Sequence, residues 1–312
     1  MNKKTHDVIV FEDNARLAEL LGPQNTYLTY VSQKLNVALT SRGNEIIIEA
    51  PKQTRALVRR ILEALYQHVS QKLVLNEAEI DAIIRMDGHF SQADNSSEKI
   101  TTALKTILPR SPLQHEYIHA LRTCDLVFGV GPAGTGKTYL AVAMGISYLL
   151  SGKVDRLILT RPAVEAGERL GFLPGDLKEK VDPYLRPIYD ALYDMIPAKD
   201  INARLLNGDI EIAPLAFMRG RTLANSYIIL DEAQNTTPLQ MKMFLTRLGE
   251  NAKMVITGDI TQIDLVEKQE SGLIDAIKKL RNLKEAKIIM LTEGDIVRHP
   301  LVAKIVRAYA HE

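Results

Sequence analysis

Several features that often define a class of protein are scarce or missing in this 312-residue sequence. It has one cysteine, Cys124, so no disulfide can form within the chain, and we expect a reducing compartment. Tryptophan is absent, and aromatic residues make up only 5% of the chain. The longest apolar run, 140–150, is too short to cross a bilayer, and the N-terminus lacks the apolar segment of a signal peptide. We therefore expect a cytoplasmic protein without a membrane segment.

An excess of charge of one sign is also missing. The 39 lysines and arginines face 38 aspartates and glutamates, so the formal net charge is +1. A chain that held nucleic acid through its overall charge would be strongly basic. Any contact with nucleic acid must therefore come from a local patch. The hydrophobic fraction of 46% supplies a core for one large domain or two modest ones.

The chain divides into two parts with different patterns of apolar residues. The first ninety residues predict the element order β-α-α-β-β-α, with Asn14 capping the first helix and a turn at residues 22–25 after it. Residues 88–99 are polar and aperiodic, which is typical of a linker. We predict a small α+β domain at 1–87, a linker at 88–111 and a larger domain at 112–312.

In the larger domain, strand-like and helix-like segments alternate. The candidate strands are residues 126–130, 156–160, 209–212, 227–230, 254–257 and 287–291. Continuous apolar strands separated by helices are typical of a mostly parallel sheet with helices on both faces. We therefore predict an α/β fold for this part of the chain.

A phosphate-binding motif lies between the first of these strands and a helix. Its residues, Gly131-Pro132-Ala133-Gly134-Thr135-Gly136-Lys137-Thr138, match G-x-x-x-x-G-K-[ST]. Backbone N–H groups of such a loop surround phosphates, and the helix N-terminus adds a partial positive charge. Lys137 is expected to reach the β- and γ-phosphates of ATP, and the Thr138 hydroxyl to hold Mg²⁺. The motif makes the predicted α/β domain a RecA-like P-loop domain; the alternative is a glycine-rich turn without a ligand.

A second carboxylate for the metal follows another candidate strand. The apolar run 227–230 ends at Asp231 and Glu232. The carboxyl end of a strand in such a sheet is where ligands bind, so Asp231 is expected beside the P-loop as a Mg²⁺ residue. Glu232 is the candidate general base for an attacking water. The alternative is an acidic first turn of the next helix, where both residues are also favoured.

Two further segments resemble helicases of superfamily 1. Asp231-Glu232-Ala233-Gln234 has the form of their second nucleotide-binding motif, and Gly258-Asp259-Ile260-Thr261-Gln262 has the G-D-x-x-Q of their motif III. Gln262 is therefore a candidate sensor of the γ-phosphate. Gln114 lies 23 residues before Lys137, where these helicases often keep an adenine-reading glutamine. Ordinary alternatives are a strand-to-loop turn for the first segment and a helix-surface residue for Gln114.

Longer segments resemble one family closely. Residues 161–192, 210–223, 229–249, 255–265 and 295–302 look like the PhoH-like ATPases of the YbeZ type. The resemblance covers nearly all of the larger domain. It implies ATP binding and hydrolysis, a helicase-like core, and action on RNA beside a YbeY-type endonuclease in the maturation of ribosomal RNA.

Phosphoryl transfer usually needs one more cation at the developing charge. Superfamily 1 helicases supply it from a second RecA-like domain, which this chain lacks. Arg298, in the segment 295–300, is our first candidate because it follows a strand on the ligand side of the sheet; the others are Arg161, Arg219 and Arg221. If the cation comes from a neighbouring subunit, head-to-tail contacts would close into a ring. We expect a homo-oligomer, with a hexameric ring as the first expectation.

The N-terminal element order resembles a KH domain, an RNA-binding fold. Its turn, Gly22-Pro23-Gln24-Asn25, lacks the basic residue and the second glycine of the KH loop. A small domain for protein contacts is the alternative.

For the whole chain we predict a Mg²⁺-dependent ATPase that remodels RNA. The rivals are an ATP-switched RNA or protein adaptor without unwinding activity and a small-molecule kinase.

Overall fold

The computed structural model describes residues 5–71, 73–86, 98–162, 177–265 and 270–297. The chain forms two compact units, one of residues 1–98 with 109–112 and one of residues 99–108 with 113–312. Arg298 and residues 163–176 of the glycine- and proline-rich segment 161–190 lie outside the described residues. Within the described parts, no helix is long and apolar enough to cross a membrane.

The first unit has the predicted order β-α-α-β-β-α followed by one more helix. Its elements are β1 (Thr5–Val10), α1 (Asn14–Leu21), α2 (Thr26–Leu35), β2 (Ala38–Arg42), β3 (Glu45–Ala50), α3 (Lys52–Ser70) and α4 (Glu77–Arg85). The strands form an antiparallel sheet in the order β1-β3-β2. Ile46 and Ile48 of the central strand and Ile61 of α3 are fully buried, so α3 covers one face of this sheet.

The cap of α1 differs from the prediction. Asp13, not Asn14, is the capping residue, and its Oδ1 accepts hydrogen bonds from the N–H groups of Ala15 (2.9 Å) and Arg16 (3.2 Å). The carboxylate stands one residue before the helix, where it can reach the unpaired N–H groups of the first turn. In the turn after α1, Gln24 and Asn25 both adopt left-handed backbone.

The second unit is built on a six-stranded parallel sheet. Its elements are the hairpin β4 (Ile100–Thr101) and β5 (Thr106–Ile107), then α5 (Pro112–Thr123), β6 (Leu126–Val130), α6 (Lys137–Leu150), β7 (Arg156–Arg161), α7 (Leu177–Met195), α8 (Ala198–Asn207), β8 (Ile210–Pro214), β9 (Ser226–Leu230), α9 (Pro238–Leu245), β10 (Lys253–Gly258), α10 (Gly272–Leu280) and β11 (Ala286–Met290). The strand order is β11-β6-β10-β9-β7-β8. All neighbouring pairs are parallel, which confirms the predicted sheet.

Helices cover both faces of this sheet, as predicted. Alternate residues of each strand contribute to two separate cores, as Val127 and Phe128 of β6 do. One core lies under α5, α6, α7 and α8, and the other lies under α9 and α10. The hairpin β4–β5, within the segment expected to be linker, belongs to this unit. Ile100 of the hairpin is fully buried in the first core, so the hairpin packs against this unit.

The parallel sheet places five loops at one edge. The P-loop follows β6, Arg161 ends β7, Asp231 follows β9, Asp259 follows β10 and Leu291 follows β11. Strand β10 lies between the P-loop strand and β9. Parallel strands all end on the same side, so residues far apart in sequence meet there.

We predict that His68 makes the first unit sensitive to acid. Burial lowers the pKa of this side chain below its ordinary value, although the Val74 carbonyl and the charge of Glu79 act in the opposite direction. Below about pH 6.5 the unfolded chain therefore binds a proton that the folded chain resists, and stability falls as the pH drops, with a slope of at most about 1.4 kcal/mol per pH unit. Denaturant unfolding of His68→Gln should show a flatter pH dependence between pH 7 and 5 than the wild type. Equal slopes would contradict this origin of the acid sensitivity.

Candidate nucleotide site

The P-loop is held in a conformation that requires glycine. Gly136 has a φ of 81°, in the left-handed region, and a Cβ at this position would approach Gln114 Nε2 to 3.3 Å. A Cβ at Gly131 would lie 2.6 Å from the Leu291 carbonyl oxygen. Because no side chain projects from these positions, the backbone can turn tightly and leave space for phosphates.

Lys137 and Thr135 close the loop over its own backbone. Lys137 Nζ donates to the Pro132 carbonyl at 3.3 Å, and Thr135 Oγ1 donates to the same carbonyl at 2.9 Å. Lys137 is only 8% exposed. Its ammonium group therefore lies across the loop, where phosphate oxygens would be better acceptors than a neutral carbonyl.

Two side chains of helix α5 donate hydrogen bonds to backbone carbonyls of the P-loop and of Lys137. Gln114, which is 3% exposed, donates from Nε2 to the Thr135 carbonyl at 3.0 Å. The Tyr117 hydroxyl donates to the Lys137 carbonyl at 3.2 Å, and its ring packs on Gly129, where a Cβ would be 2.6 Å away. The sequence analysis did not predict a role for Tyr117. The available signal was Gly129, a glycine inside a strand, where a large side chain can approach the backbone closely. The adenine-reading role of Gln114 stays a prediction.

Asp231 is the most heavily hydrogen-bonded carboxylate of the site, and it is 1% exposed. Its Oδ1 accepts from Thr138 Oγ1 and from Thr257 Oγ1, both at 2.6 Å. Its Oδ2 accepts from Arg161 Nε at 2.9 Å and from Arg161 Nη2 at 2.5 Å. The structure thus brings Asp231 and Thr138 together, as the sequence predicted. The contributions of Thr257 and Arg161 to this cluster were not predicted.

Glu232 is held next to this cluster by strained backbone and by an amide. Its φ of 55° is unusual for a residue other than glycine. Gln234 Nε2 donates to Glu232 Oε2 at 2.7 Å and to the Gln262 carbonyl at 3.1 Å, while Gln234 Oε1 accepts from the Asp259 N–H at 3.0 Å. The fully buried Gln234 therefore connects the candidate base to the loop after β10. Glu232 itself is 40% exposed, so water can reach its carboxylate.

Gln262 is turned toward Asp259. Its Nε2 donates to Asp259 Oδ2 at 2.7 Å, and Thr261 donates to Oδ1 from both its N–H and its hydroxyl. Burial alone would raise the pKa of Asp259, but these hydrogen bonds and the positive charge of Lys137 hold its pKa below the ordinary value. The Asp259 carboxylate is therefore stabilised as an anion that attracts the Lys137 ammonium group.

The candidate arginines have different surroundings. Arg221 is forked onto Glu211, with N–O distances of 2.6 and 2.8 Å, which raises the pKa of the arginine and lowers that of the glutamate. Arg219 is exposed and follows the short 3₁₀ helix Leu215–Met218, which comes after β8. Arg298 lies outside the described residues, but the N–H of the preceding residue, Val297, donates to the Gly134 carbonyl at 3.0 Å.

The donor set suits a magnesium–nucleotide complex. Thr138 and Asp231 offer hydroxyl and carboxylate oxygens, the ligand type that Mg²⁺ prefers when phosphates supply the remaining ligands. Among the described residues, no group of three or more His, Cys, Asp or Glu side chains could form an all-protein metal site. Thr138 and Asp231 supply only part of a Mg²⁺ coordination shell, and phosphate oxygens would supply further ligands, as is usual beside a P-loop.

Comparison with known proteins decides the family. The PhoH-like protein family matches residues 106–310. This chain belongs to the PhoH-like family. It is similar to a PhoH-like protein of Bacillus subtilis (strain 168), 48% identical over 295 residues that cover 93% of this chain and 92% of the relative. It is also similar to the protein PhoH of Escherichia coli (strain K12), 39% identical over 274 residues that cover 87% of this chain and 75% of the relative.

The PhoH-like assignment confirms the resemblance and makes the second unit a P-loop NTPase domain. Two solved structures show distant similarity to this chain. A Pif1 helicase from Candida albicans gives a TM-score of 0.34 at 15% identity, over 62% of this chain and 41% of the helicase chain. A SWI2/SNF2 ATPase core from Sulfolobus solfataricus in complex with dsDNA gives a TM-score of 0.36 at 14% identity, over 63% of this chain and 51% of that one. These scores are too low to support an argument. The description of the second unit as a P-loop domain is supported by its strand order and by the geometry of its site.

We predict that Gly136→Ala weakens nucleotide binding by about tenfold or more, a loss of about 1.4 kcal/mol. Gly152→Ala is the matched control, because Gly152 follows the other end of α6, has a φ of 68° and has open space around its Cβ position. Both variants carry a left-handed strain of roughly 1–2 kcal/mol, but only Gly136→Ala changes the phosphate loop. Calorimetric titration with ADP measures the difference. Equal affinities in the two variants would argue against the loop as the binding site.

Proposed function

We propose that this PhoH-like protein hydrolyses ATP with Mg²⁺ in the cytoplasm. The observation that carries the proposal is the 2.6 Å hydrogen bond between Thr138 Oγ1 and Asp231 Oδ1, which joins the P-loop to the carboxylate at the end of β9. These two residues are 93 positions apart in sequence, so the fold alone brings them together. When bound, Mg²⁺ would neutralise charge on the β- and γ-phosphate oxygens.

The remaining side chains would divide the work of hydrolysis. Lys137 would exchange the Pro132 carbonyl for phosphate oxygens, and Glu232 would accept a proton from the attacking water. Gln262 is linked to Glu232 by two hydrogen bonds of the Gln234 side chain. Gln262 would therefore report the presence of the γ-phosphate to the loop after β10. The sequence motifs suggest this division of roles, and the observed hydrogen bonds support it.

For Glu232→Gln we predict that ATP binding survives and hydrolysis stops. The amide cannot accept the proton from water, whereas Thr138 and Asp231 stay in place for the metal. Turnover should fall at least a hundredfold, while the affinity for ATP changes by less than about threefold. Lys137→Ala should instead lower turnover together with affinity, because it removes a charged contact to phosphate. If Glu232→Gln abolishes ATP binding, the assignment of Glu232 as base fails.

We further propose that hydrolysis is coupled to RNA remodelling, in ribosomal RNA maturation beside a YbeY-type endonuclease. Family resemblance and the element order of the first unit support this proposal. The charges of that unit offer less support. Arg59 is forked onto Asp7 with N–O distances of 2.9 and 3.2 Å, and Lys34 pairs with Asp81 at 3.0 Å. Cations that are already paired are weaker partners for RNA phosphates, which favours the second candidate, an ATP-switched adaptor without unwinding activity, in its protein-binding form.

RNA binding separates the two candidates. If the first unit binds RNA, removal of residues 1–98 should leave basal ATP turnover but weaken RNA binding and flatten its salt dependence, because fewer phosphate contacts remain. Fluorescence anisotropy with a structured ribosomal RNA fragment measures both quantities, and a tailed duplex reports unwinding. RNA affinity that is unchanged by the truncation would identify the unit as a protein-contact domain. RNA-stimulated turnover without strand separation would favour the adaptor.

The source of the catalytic arginine also bears on assembly. We propose a homo-oligomer, with a hexameric ring as the first expectation, in which Arg298 of one subunit serves its neighbour. Mixing Lys137→Ala with Arg298→Ala subunits should then restore part of the activity, since one of the two mixed orientations joins an intact P-loop to an intact Arg298. The alternative is an arginine that acts within its own chain. If the mixture recovers no activity and the protein has a monomeric mass in the presence of ATP, that alternative is correct.

A further inference from the structure

The carboxylate of Asp231 has no acceptor position left for a metal or for a water bound to one. An ionised carboxylate offers about four lone-pair positions. Thr138 and Thr257 occupy those of Oδ1, and two N–H groups of Arg161 occupy those of Oδ2. Binding of a divalent cation next to Asp231 therefore requires that one of these three residues gives up its contact.

Arg161 is the donor best suited to leave. Thr138 can keep its hydrogen bond to Asp231 while a lone pair of its hydroxyl faces a cation. Thr257 is fully buried in β10 and cannot move without disturbing the sheet. Arg161 carries a positive charge that a divalent cation repels, and its side chain is 14% exposed, against 1% for Asp231.

A second carboxylate lies within reach of the departing guanidinium. Arg161 Nη2 is 3.7 Å from Glu232 Oε1, and Glu232 is 40% exposed. A small rotation would transfer the guanidinium from one carboxylate to the next without leaving it unpaired in a partly buried place.

We propose that Arg161 is a latch on Asp231. Arg161 holds this carboxylate while no cation is bound, and it moves toward Glu232 when a divalent cation enters with the nucleotide. Arg161 is thus a positioning residue that makes Asp231 available only when the metal–nucleotide complex is present. The inference rests on the proposed function, because it assumes that a divalent cation binds beside Thr138 and Asp231.

The first test measures metal affinity without turnover. Mn²⁺ is titrated into the full-length protein saturated with ADP, and free Mn²⁺ is followed by electron paramagnetic resonance. Arg161→Gln should bind Mn²⁺ about tenfold more tightly than the wild type, since the metal no longer displaces a charged donor. Arg204→Gln, which opens the ion pair with Asp209 just before β8, at the opposite edge of the sheet, should leave Mn²⁺ affinity unchanged. Equal or weaker binding by Arg161→Gln would overturn the latch and make Arg161 a fixed support of Asp231.

The second test uses the wild-type protein, so it does not depend on the folding of a variant. The Nε–H resonance of Arg161, assigned by its loss in Arg161→Lys, is followed in arginine-labelled protein while Mg²⁺ and ADP are added. The latch predicts a shift of this resonance when both are present and no shift with ADP alone. A resonance that stays in place although Mg²⁺ and ADP bind would contradict the latch. Failure of the wild type to bind Mg²⁺–ADP at all would instead refute the proposed function.

Discussion

The site depends on the burial of one carboxylate at the end of a parallel strand. Asp231 is 1% exposed, and an ion in such a place must be compensated by hydrogen bonds or opposite charge. The compensation comes from three separate elements: Thr138 on α6, Thr257 on β10 and Arg161 on β7. Removing one partner of a buried ion pair typically costs about 3–5 kcal/mol, so these contacts fix the positions of the elements that carry them.

This constraint explains why the neighbouring loops are arranged as they are. With Asp231 fixed, the P-loop is anchored through Thr138 on one side and through Gln114 and Tyr117 on the other. Glu232 is the next residue, and its left-handed backbone turns its side chain toward Gln234 and the loop after β10. The candidate base, the phosphate loop and the candidate sensor therefore share one rigid edge of the sheet, which is the kind of support that a catalytic constellation needs.

The sequence predicts the parts of this arrangement that depend on local pattern. Strand β6 has the predicted bounds, and the glycine motif after it is recognisable because phosphate loops need glycines at fixed spacing. The hydrogen bonds of Arg161 to Asp231 could not be predicted in this way, since the two residues are 70 positions apart and nothing local marks their pairing. The predicted cap of α1, Asn14, is wrong by one residue, since Asp13 is the capping residue. Asp and Asn have similar capping preferences, so the sequence does not distinguish between two such neighbours. The hairpin of β4 and β5 depends on the burial of Ile100 in a core formed by residues that are distant in sequence. The residues around Ile100 are mostly polar, so the local sequence does not indicate this burial.

The most direct test of the central claim is the effect of Mg²⁺ on nucleotide affinity in Asp231→Asn. Asparagine keeps the size of the side chain but removes the charge, so the P-loop should still bind ADP in the absence of metal. The affinity of the wild type for ADP should rise when Mg²⁺ is added, and Asp231→Asn should lose most of that increase. If Mg²⁺ strengthens ADP binding equally in both proteins, Asp231 is not the carboxylate that holds the metal, and the account of this site is wrong.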